Sequence, residues 1–322
     1  MRGFVANTDW DWFDFLSRRP DLDEVNFWAP SGKAVSGSIP PGAPFFFKLK
    51  RPHNAIGGFG FLGPVTLVPA SLAWEAFGEK NGAPDLATML ARIRRYWSRM
   101  RRREVSSGRL VDPPIGCRVI LQPVFFRPDE WVRLPDDWSR NIVVGKNYDL
   151  SRGEGERIWR ECLVRAALHH HGASAIQDGE QEAARFGKEV TIRPRLGQGA
   201  FRLAVIDSYE RACAVTGEHS LPVLDSAHIR PYKQGGEHAV TNGILLRTDL
   251  HRLFDRGYVT VTPDYEFRVS EALMDEYDNG RVYYELERRI REEGGRVRLP
   301  ADSKLWPDRE KLAWHGERVF RG

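Results

Sequence analysis

The sequence has 322 residues, of which 41% are hydrophobic and 29% are charged, and its formal net charge is +4. This balance is typical of a soluble globular protein. No apolar run approaches the roughly 18 residues of a membrane span, and the first residues lack the pattern of a secretory signal. We therefore expect a cytoplasmic protein, long enough for two domains.

The cysteine content limits the kind of metal site that the chain can build. Cys117, Cys162 and Cys213 are far apart in sequence, and no CxxC pair is present. This spacing argues against a disulfide framework and against a four-cysteine zinc site. A bound metal would therefore have to use His, Asp and Asn side chains.

Residues 1–150 are predicted to form one mixed domain. A short helix is expected over Trp10–Leu16, and Pro84 opens an amphipathic helix with apolar residues at helical spacing. Runs of apolar and β-branched residues, separated by turn residues, predict strands between and after these helices. The predicted strands are Val25–Ala29, Pro44–Leu49, Phe59–Phe61, Val65–Val68, Cys117–Phe126 and Ile142–Val144.

A basic segment begins within the second of these helices. Eight arginines and one acidic residue lie between Arg92 and Arg109. Such a segment could neutralise phosphates of a nucleic acid, and we take Arg95, Arg99 and Arg102 as candidate DNA contacts. A solvated helix face is the alternative interpretation, and the sequence does not separate the two.

Residues 151–187 are helical in character and are predicted to link the first domain to a second one, over residues 188–322. The linker contains His169, His170 and His171. Three consecutive residues of a helix project in different directions, so we do not expect these histidines to bind one metal ion.

The second domain contains the most informative segment. Leu221–Ile229 is predicted to form a strand that ends near His228, and Ile244–Leu246 a second strand. Asn242 lies in the turn between them. A helix is then expected from Thr248, with His251 in its first turns and Gly257 at its end.

Three elements of this segment resemble the HNH endonuclease family, whose ββα-metal fold binds one divalent cation. They read AHI-x-P from Ala227, NG-x-LL from Asn242 and LH-x-LFD-x-G from Leu250. The resemblance implies that His228 is the general base, since imidazole titrates near neutral pH. It implies that Asn242 orients this histidine, and that His251 binds Mg²⁺, Mn²⁺ or Ni²⁺.

The second metal ligand is left open by the sequence. Many members of the family have an acidic residue or a histidine immediately before the base, where this chain has Ala227. Asp225 is expected on the same strand face as Ala227, and Asp255 lies four residues after His251 on one helix face. We prefer Asp225. The loop residues His219 and His238 are not expected to contact metal or phosphate.

The first domain resembles the PUA-like group of barrels, which includes the EVE and YTH domains. The resemblance is carried by VNFWAPSG from Val25 and by PFFFKLKRPHNAIGGFGFL from Pro44. Domains of this group hold a modified base in an aromatic cage. The implied pocket residues are Trp10, Asn26, Trp28 and Trp138. Lys48, Lys50 and Arg51 would line the approach of DNA, unless they belong to a solvated loop.

The predicted fold class is therefore α+β, with an N-terminal PUA-like (EVE-like) β-barrel with helices and a C-terminal ββα-metal HNH nuclease domain. The two resemblances together imply a modification-dependent (type IV) restriction endonuclease that reads 5-methylcytosine or 5-hydroxymethylcytosine in double-stranded DNA. The alternatives are an HNH nuclease acting on unmodified DNA or RNA, and a nucleic-acid reader with an inactive nuclease unit. A homodimer is plausible, because one ββα site cuts one strand.

Overall fold

The computed structural model describes residues 1–30, 39–100, 112–170 and 196–322, without the side chains of residues 98–100 and 168–170. The chain divides into two compact units, Met1–Arg195 and Leu196–Gly322. None of the helices in the described part of the chain is both long enough and apolar enough to cross a membrane.

The first unit is built on one mixed sheet. The strands are β1 (Arg2–Thr8), β2 (Glu24–Asn26), β3 (Pro44–Leu49), β4 (Ala55–Pro69), β5 (Pro114–Phe125), β6 (Val132–Arg133) and β7 (Gly145–Asp149). They follow the order β2-β5-β4-β3-β1-β7, and β6 pairs with β4. The pair β1–β3 is parallel, whereas the other pairs are antiparallel.

This sheet corrects the prediction of a closed barrel. Among the described residues, β2 and β7 end the strand path, and no strand pairing joins them. Closing a barrel requires a ladder between the two edges, and β2 has only 3 residues to offer. The two strands predicted at Phe59–Phe61 and Val65–Val68 are parts of β4, because the chain passes Gly63 and Pro64 with a register shift instead of a turn.

The sequence of β3 explains why the sheet is covered on both faces. Phe45 and Phe47 point to one face and Phe46 to the other, as strand geometry requires. Phe45 and Phe47 pack in a core with Trp12, whereas Phe46 packs in a second core with Trp159. Burial of each such side chain contributes about 1.5–3 kcal/mol, so the PFFFKL segment stabilises both layers.

In the described part of this unit, four helices accompany the sheet: α1 (Trp10–Ser17), α2 (Ala70–Phe77), α3 (Leu86–Met100) and α4 (Gly153–His170). The strand predicted at Ile142–Val144 is wrong, since β7 begins only at Gly145. The side chain of Val143 is 82% exposed, so its apolar character does not reflect packing in a sheet. The carbonyls of Ile142 and Val143 instead accept hydrogen bonds from the Asn7 side chain.

The second unit contains two small antiparallel sheets, formed by Leu224–His228 with Gly243–Arg247 and by Val259–Val261 with Phe267–Val269. The predicted order of strand, strand and helix is present as β8 (Leu224–His228), β9 (Gly243–Arg247) and α6 (Thr248–Asp255). Pro222 lies in a short 3-10 turn before β8, which is why that strand begins later than predicted. The elements are α5 (Gln198–Ser208), β8 (Leu224–His228), β9 (Gly243–Arg247), α6 (Thr248–Asp255), β10 (Val259–Val261), β11 (Phe267–Val269), α7 (Ala272–Tyr277), α8 (Arg281–Glu292) and α9 (Arg309–Arg318).

Candidate active site

His228 lies at the end of β8, opposite Gly243 of β9. Its imidazole stacks on the phenyl ring of Phe201 in α5, with ring centroids 3.9 Å apart and an interplanar angle of 17°. A Cβ at position 243 would lie 2.9 Å from the Phe201 ring and 2.5 Å from Val205. Glycine at this position therefore leaves room for the phenyl ring that supports His228.

A second histidine contacts the candidate base. His228 Nε2 lies 3.0 Å from His238 Nδ1, within hydrogen-bond distance. The ring of His238 stacks in turn on Tyr232, with centroids 4.9 Å apart. Burial, followed by the charges of His238 and His251, lowers the pKa of His228 to about 4. His228 is therefore neutral at pH 7, which is the state that a general base needs.

Asn242 closes the loop between β8 and β9. Its side chain is fully buried, and its Oδ1 accepts a hydrogen bond from the Arg230 amide at 3.0 Å. Its Nδ2 donates to the carbonyls of Arg230 and Glu237, both at 2.9 Å. Gly236 lies against this network, since a Cβ there would be 1.9 Å from the Arg230 carbonyl oxygen. Asn242 thus links Glu237, the residue before His238, to Arg230, two residues after His228.

The side chain of His251 lies between two carboxylates. Its Nδ1 is 3.5 Å from Asp225 Oδ2, and its Nε2 is 3.4 Å from Asp255 Oδ2. The contact with His251 lowers the pKa of Asp225. Burial raises the pKa of Asp255, and the negative charge of Asp225 adds to this effect. Both acidic residues considered from the sequence therefore lie beside His251.

The donor atoms of this cluster suit a divalent cation. Carboxylate oxygens and imidazole nitrogen are ligands of Mg²⁺, Mn²⁺ and Ni²⁺, and a cation would offset the repulsion between Asp225 and Asp255. Within the described ranges, however, no group of three or more His, Cys, Asp or Glu side chains is arranged to hold an ion. One carboxylate faces each ring nitrogen of His251, so the three groups do not converge on one point.

The first unit contains a cavity of about 370 Å³ with aromatic and charged walls. This volume is within the range of ligand pockets, which is roughly 300–1,000 Å³. The lining residues are Asp9, Trp10, Asp11, Trp12, Trp28, Lys50, Arg92, Arg95 and Tyr96.

A polar triad lies in the wall of this cavity. The Asp9 carboxylate accepts hydrogen bonds from Lys50 Nζ at 2.5 Å and from the Tyr96 hydroxyl at 2.6 Å. Burial alone would lower the pKa of Lys50, but the hydrogen bond and the charge of Asp9 raise it. Lys50 is therefore a cation at neutral pH, positioned inside an aromatic cavity.

The structure brings together only part of the predicted pocket. Trp10 and Trp28 line the cavity, whereas Asn26 is fully buried in β2, with its Nδ2 bonded to Asn81 Oδ1 and Cys117 Sγ. Trp138 packs against the core on the other side of the sheet. Asn26 and Trp138 do not line this cavity, because strand pairing and the second core determine their positions.

The residues predicted to contact DNA also lie in different surroundings from one another. Lys48 is only 6% exposed and lies over the Trp138 ring, so it is not available at the surface. Lys50 and Arg95 line the cavity, and Arg51 is exposed. The Arg99 side chain, Arg102 and His171 lie outside the described part of the chain.

Sequence reasoning missed three residues at these sites. Asp9 and Tyr96 take part in the polar triad, and His238 contacts His228. In the first unit, one sequence feature could have indicated the polar triad: Tyr96 directly follows Arg95 in an amphipathic helix. His238 lies in a loop without regular structure, and only its proximity to the GG pair before it could have indicated its importance.

The family comparison agrees with the geometry of the second unit. Residues 213–262 match the family described as HNH endonuclease, and this range contains His228, Asn242 and His251. The chain therefore carries an HNH endonuclease domain, which places it among the metal-dependent nucleases.

The search among curated proteins gave no match. Two solved structures are similar to the chain at low identity. The ZmASCH Y47F mutant protein from Zymomonas mobilis is 11% identical, with 49% of this chain and 96% of that chain covered and a TM-score of 0.32. The modification-dependent TagI restriction endonuclease is 13% identical, with 98% of this chain and 81% of that chain covered and a TM-score of 0.27. Scores at this level do not define a common fold.

Proposed function

We propose that this protein is a modification-dependent DNA endonuclease. Its first unit, a PUA-like domain in this proposal, would bind 5-methylcytosine or 5-hydroxymethylcytosine, and its HNH site would hydrolyse a phosphodiester bond of the same DNA. The observation that carries the proposal is the aromatic cavity around the pair Asp9–Lys50, in a chain that also has an HNH endonuclease domain.

The chemistry of the cavity fits an extruded cytosine. An extruded base is held by stacking on aromatic rings and by hydrogen bonds to its edge, and Trp10 and Trp28 offer indole rings. The cytosine edge has an amino group and two acceptors, N3 and O2. The Asp9 carboxylate can accept from the amino group, and the Lys50 ammonium can donate to an acceptor. Arg95 adds positive charge for the phosphates.

The second unit would supply the hydrolytic chemistry. His228, neutral at pH 7, would take a proton from the attacking water. Asn242 would hold the loop around this base through its three hydrogen bonds. His251 with Asp225, or with Asp255, would hold the divalent cation, which stabilises charge on the departing oxygen when bound. Because the two carboxylates face opposite ring nitrogens, a cation held by both of them and His251 would require a side-chain rotation.

The test compares plasmids that contain cytosine, 5-methylcytosine or 5-hydroxymethylcytosine, each incubated with Mg²⁺ or Mn²⁺. We expect cleavage of at least one modified plasmid and no cleavage of the plain one. His228→Ala is the control for contaminating nucleases, and it should lower the rate by about 100-fold or more, the scale of a lost general base.

Other outcomes of this experiment identify the alternatives. Equal cleavage of the three plasmids would contradict the modification dependence and leave an HNH nuclease of unmodified DNA. Cleavage of RNA alone would change the substrate class. Binding without cleavage under any metal would indicate a reader with an inactive nuclease unit. A double-strand break would require two protomers or two binding events, since one site cuts one strand.

A further inference from the structure

We propose that His238 is a positioning residue for the general base. It accepts a hydrogen bond from Nε2–H of His228 and thereby leaves Nδ1 of His228 as the atom that takes the proton from water. This inference rests on the proposed role of His228 as the base, and it adds a residue that neither the motif nor the family match assigns.

The geometry constrains both rings. His228 Nε2 and His238 Nδ1 are 3.0 Å apart, and the two rings are inclined by 64°. Phe201 supports the face of His228 at 3.9 Å, and Tyr232 lies parallel to His238 with an interplanar angle of 7°. Each imidazole is therefore stacked on an aromatic ring, and the hydrogen bond joins one nitrogen of each imidazole.

Two neutral imidazoles can share this hydrogen bond in only two ways. If His238 Nδ1–H donated, the Nε2 lone pair of His228 would be occupied and its Nδ1 would carry the hydrogen. His228 would then have no free lone pair for water. If His228 Nε2–H donates, its Nδ1 lone pair is free. Only the second arrangement lets His228 act as a base without losing the contact.

The second arrangement also favours the protonated base. When His228 takes up a proton on Nδ1, its Nε2–H remains the donor to His238, and this hydrogen bond becomes charge-assisted. Charge-assisted hydrogen bonds are about twice as strong as neutral ones. A neutral His238 therefore stabilises the imidazolium of His228 at the moment when it forms, whereas a charged His238 would oppose it.

The proton and electron balance of the step is complete. The O–H bond of water breaks as the N–H bond at His228 Nδ1 forms, and the released electron pair on oxygen forms the new bond to phosphorus. The bond from phosphorus to the departing oxygen breaks, and its electron pair leaves with that oxygen, which takes a proton from solvent. His228 then returns its proton to solvent.

The loop that carries His238 is held by Asn242. The Asn242 amide donates to the carbonyl of Glu237, the residue before His238, at 2.9 Å. The same side chain bonds both backbone groups of Arg230, two residues after His228. The positions of the two histidines are thus linked through one buried asparagine, so a fixed distance between them is built into the loop.

Two substitutions separate the hydrogen bond from the ring stack. His238→Asn places Oδ1 near the position of Nδ1 and keeps an acceptor, but it removes the ring over Tyr232. His238→Phe keeps a ring over Tyr232 and removes the acceptor. The experiment measures the single-turnover cleavage rate of the full chain with saturating Mn²⁺ and DNA, together with the Kd for DNA.

We expect His238→Asn to stay within about 10-fold of the wild-type rate and His238→Phe to fall by about 100-fold with an unchanged Kd, the scale of general-base catalysis. A purely structural role predicts the reverse order, with Phe active and Asn impaired, and that result would overturn the proposal. If His238→Phe does not fold, His238→Ala replaces it. Equal cleavage rates of the Ala and Asn variants would then contradict the proposal.

His228→Ala separates this inference from the proposed function. If His228→Ala keeps the wild-type rate, the assignment of the base is wrong and the role of His238 falls with it. If His228→Ala is inactive while His238→Phe is fully active, the base assignment stands and only the positioning role of His238 is refuted.

Discussion

The imidazole of His315 stacks on the phenyl ring of Phe254, with centroids 3.7 Å apart and an interplanar angle of 13°. His315 Nε2 is 3.1 Å from the Phe254 carbonyl oxygen, so this nitrogen carries the hydrogen and donates it. His315 Nδ1 is then the acceptor for the Thr260 hydroxyl at 2.8 Å. This buried neutral histidine joins α9 to the helix that carries His251.

We expect this histidine to make the protein sensitive to acid. Burial lowers the pKa of His315 to about 4, against about 6.5 in an unfolded chain. Between these values the unfolded state binds more protons, so the free energy of unfolding is fully retained above pH 6.5 and falls as the pH drops toward 4. The loss from this group approaches about 3 kcal/mol at pH 4.

Urea unfolding of the second unit, followed by fluorescence between pH 5 and pH 7.5, measures how the free energy of unfolding depends on pH. The matched variant is His315→Gln, which keeps an amide donor near the Phe254 carbonyl but does not titrate. The variant should show a shallower dependence of unfolding free energy on pH than the wild type. Identical slopes would show that His315 is not the group responsible.

Asn242 should be among the most sensitive positions for stability. Asn242→Asp has nearly the same shape, but it places a carboxylate oxygen against the carbonyls of Arg230 and Glu237, where the amide now donates. Loss of such buried donors costs about 1–3 kcal/mol each. Denaturant unfolding should show this loss.

Asn279→Asp is the control for the Asn242 substitution. Asn279 is exposed, and its Oδ1 accepts from the Gly280 amide, a role that aspartate keeps. Its unfolding free energy should stay close to that of the wild type. Comparable destabilisation by the two substitutions would mean that burial of the amide is not what matters.

The second ligand of the proposed metal site can be assigned by comparing Asp225→Asn with Asp255→Asn. The pKa of Asp225 is lowered, so it carries its charge over a wider pH range, whereas the pKa of Asp255 is raised. We therefore expect Asp225→Asn to weaken Mn²⁺ binding by at least about 10-fold, similar to the 10–100-fold seen for groups that support a metal site. Asp255→Asn should have a smaller effect.

Isothermal titration calorimetry with Mn²⁺ measures both affinities directly, and chelation by EDTA should abolish cleavage by the wild type. A larger loss of affinity in Asp255→Asn than in Asp225→Asn would assign Asp255 as the ligand instead. Unchanged affinity in both variants would place the cation elsewhere.

Two tryptophans give a matched test of the cavity. Trp28 lines it, whereas Trp138 packs on the other side of the sheet. Trp28→Ala should remove the preference for modified over plain DNA, because one stacked ring contributes about 1–3 kcal/mol per base. Trp138→Ala should retain the preference even if it lowers stability. Competition binding with methylated and plain duplexes measures both, and the opposite result would move the pocket to Trp138.

The local structure around His228, Asn242 and His251 was largely predictable because these residues are close in sequence. His228, Asn242 and His251 lie within one strand–turn–strand–helix segment, and local patterns place them. His238 was not predictable, since its contact with His228 depends on how Asn242 folds the loop. The hydrogen bond between them is a property of that loop and leaves no periodic pattern in the sequence.

The first unit was predicted less completely because its structure depends on distant strand pairing. β1 pairs in parallel with β3 and antiparallel with β7, near the other end of the unit. Residue type suggested Asn26 and Trp138 as pocket residues. Their positions depend, however, on which strands pair and on which face each core covers. Aromatic content alone does not distinguish a cavity wall from a core.

Three aromatic side chains that line the cavity have contacts with other parts of the first unit. The Trp28 indole donates to the Asn81 carbonyl at 2.8 Å, the Tyr96 hydroxyl is held by a carboxylate, and Trp10 stacks on His53 at 4.1 Å. A base that entered this space would therefore meet rings that already have partners within the protein. Its selection would then depend on steric fit, where one methyl group is worth about 1–3 kcal/mol.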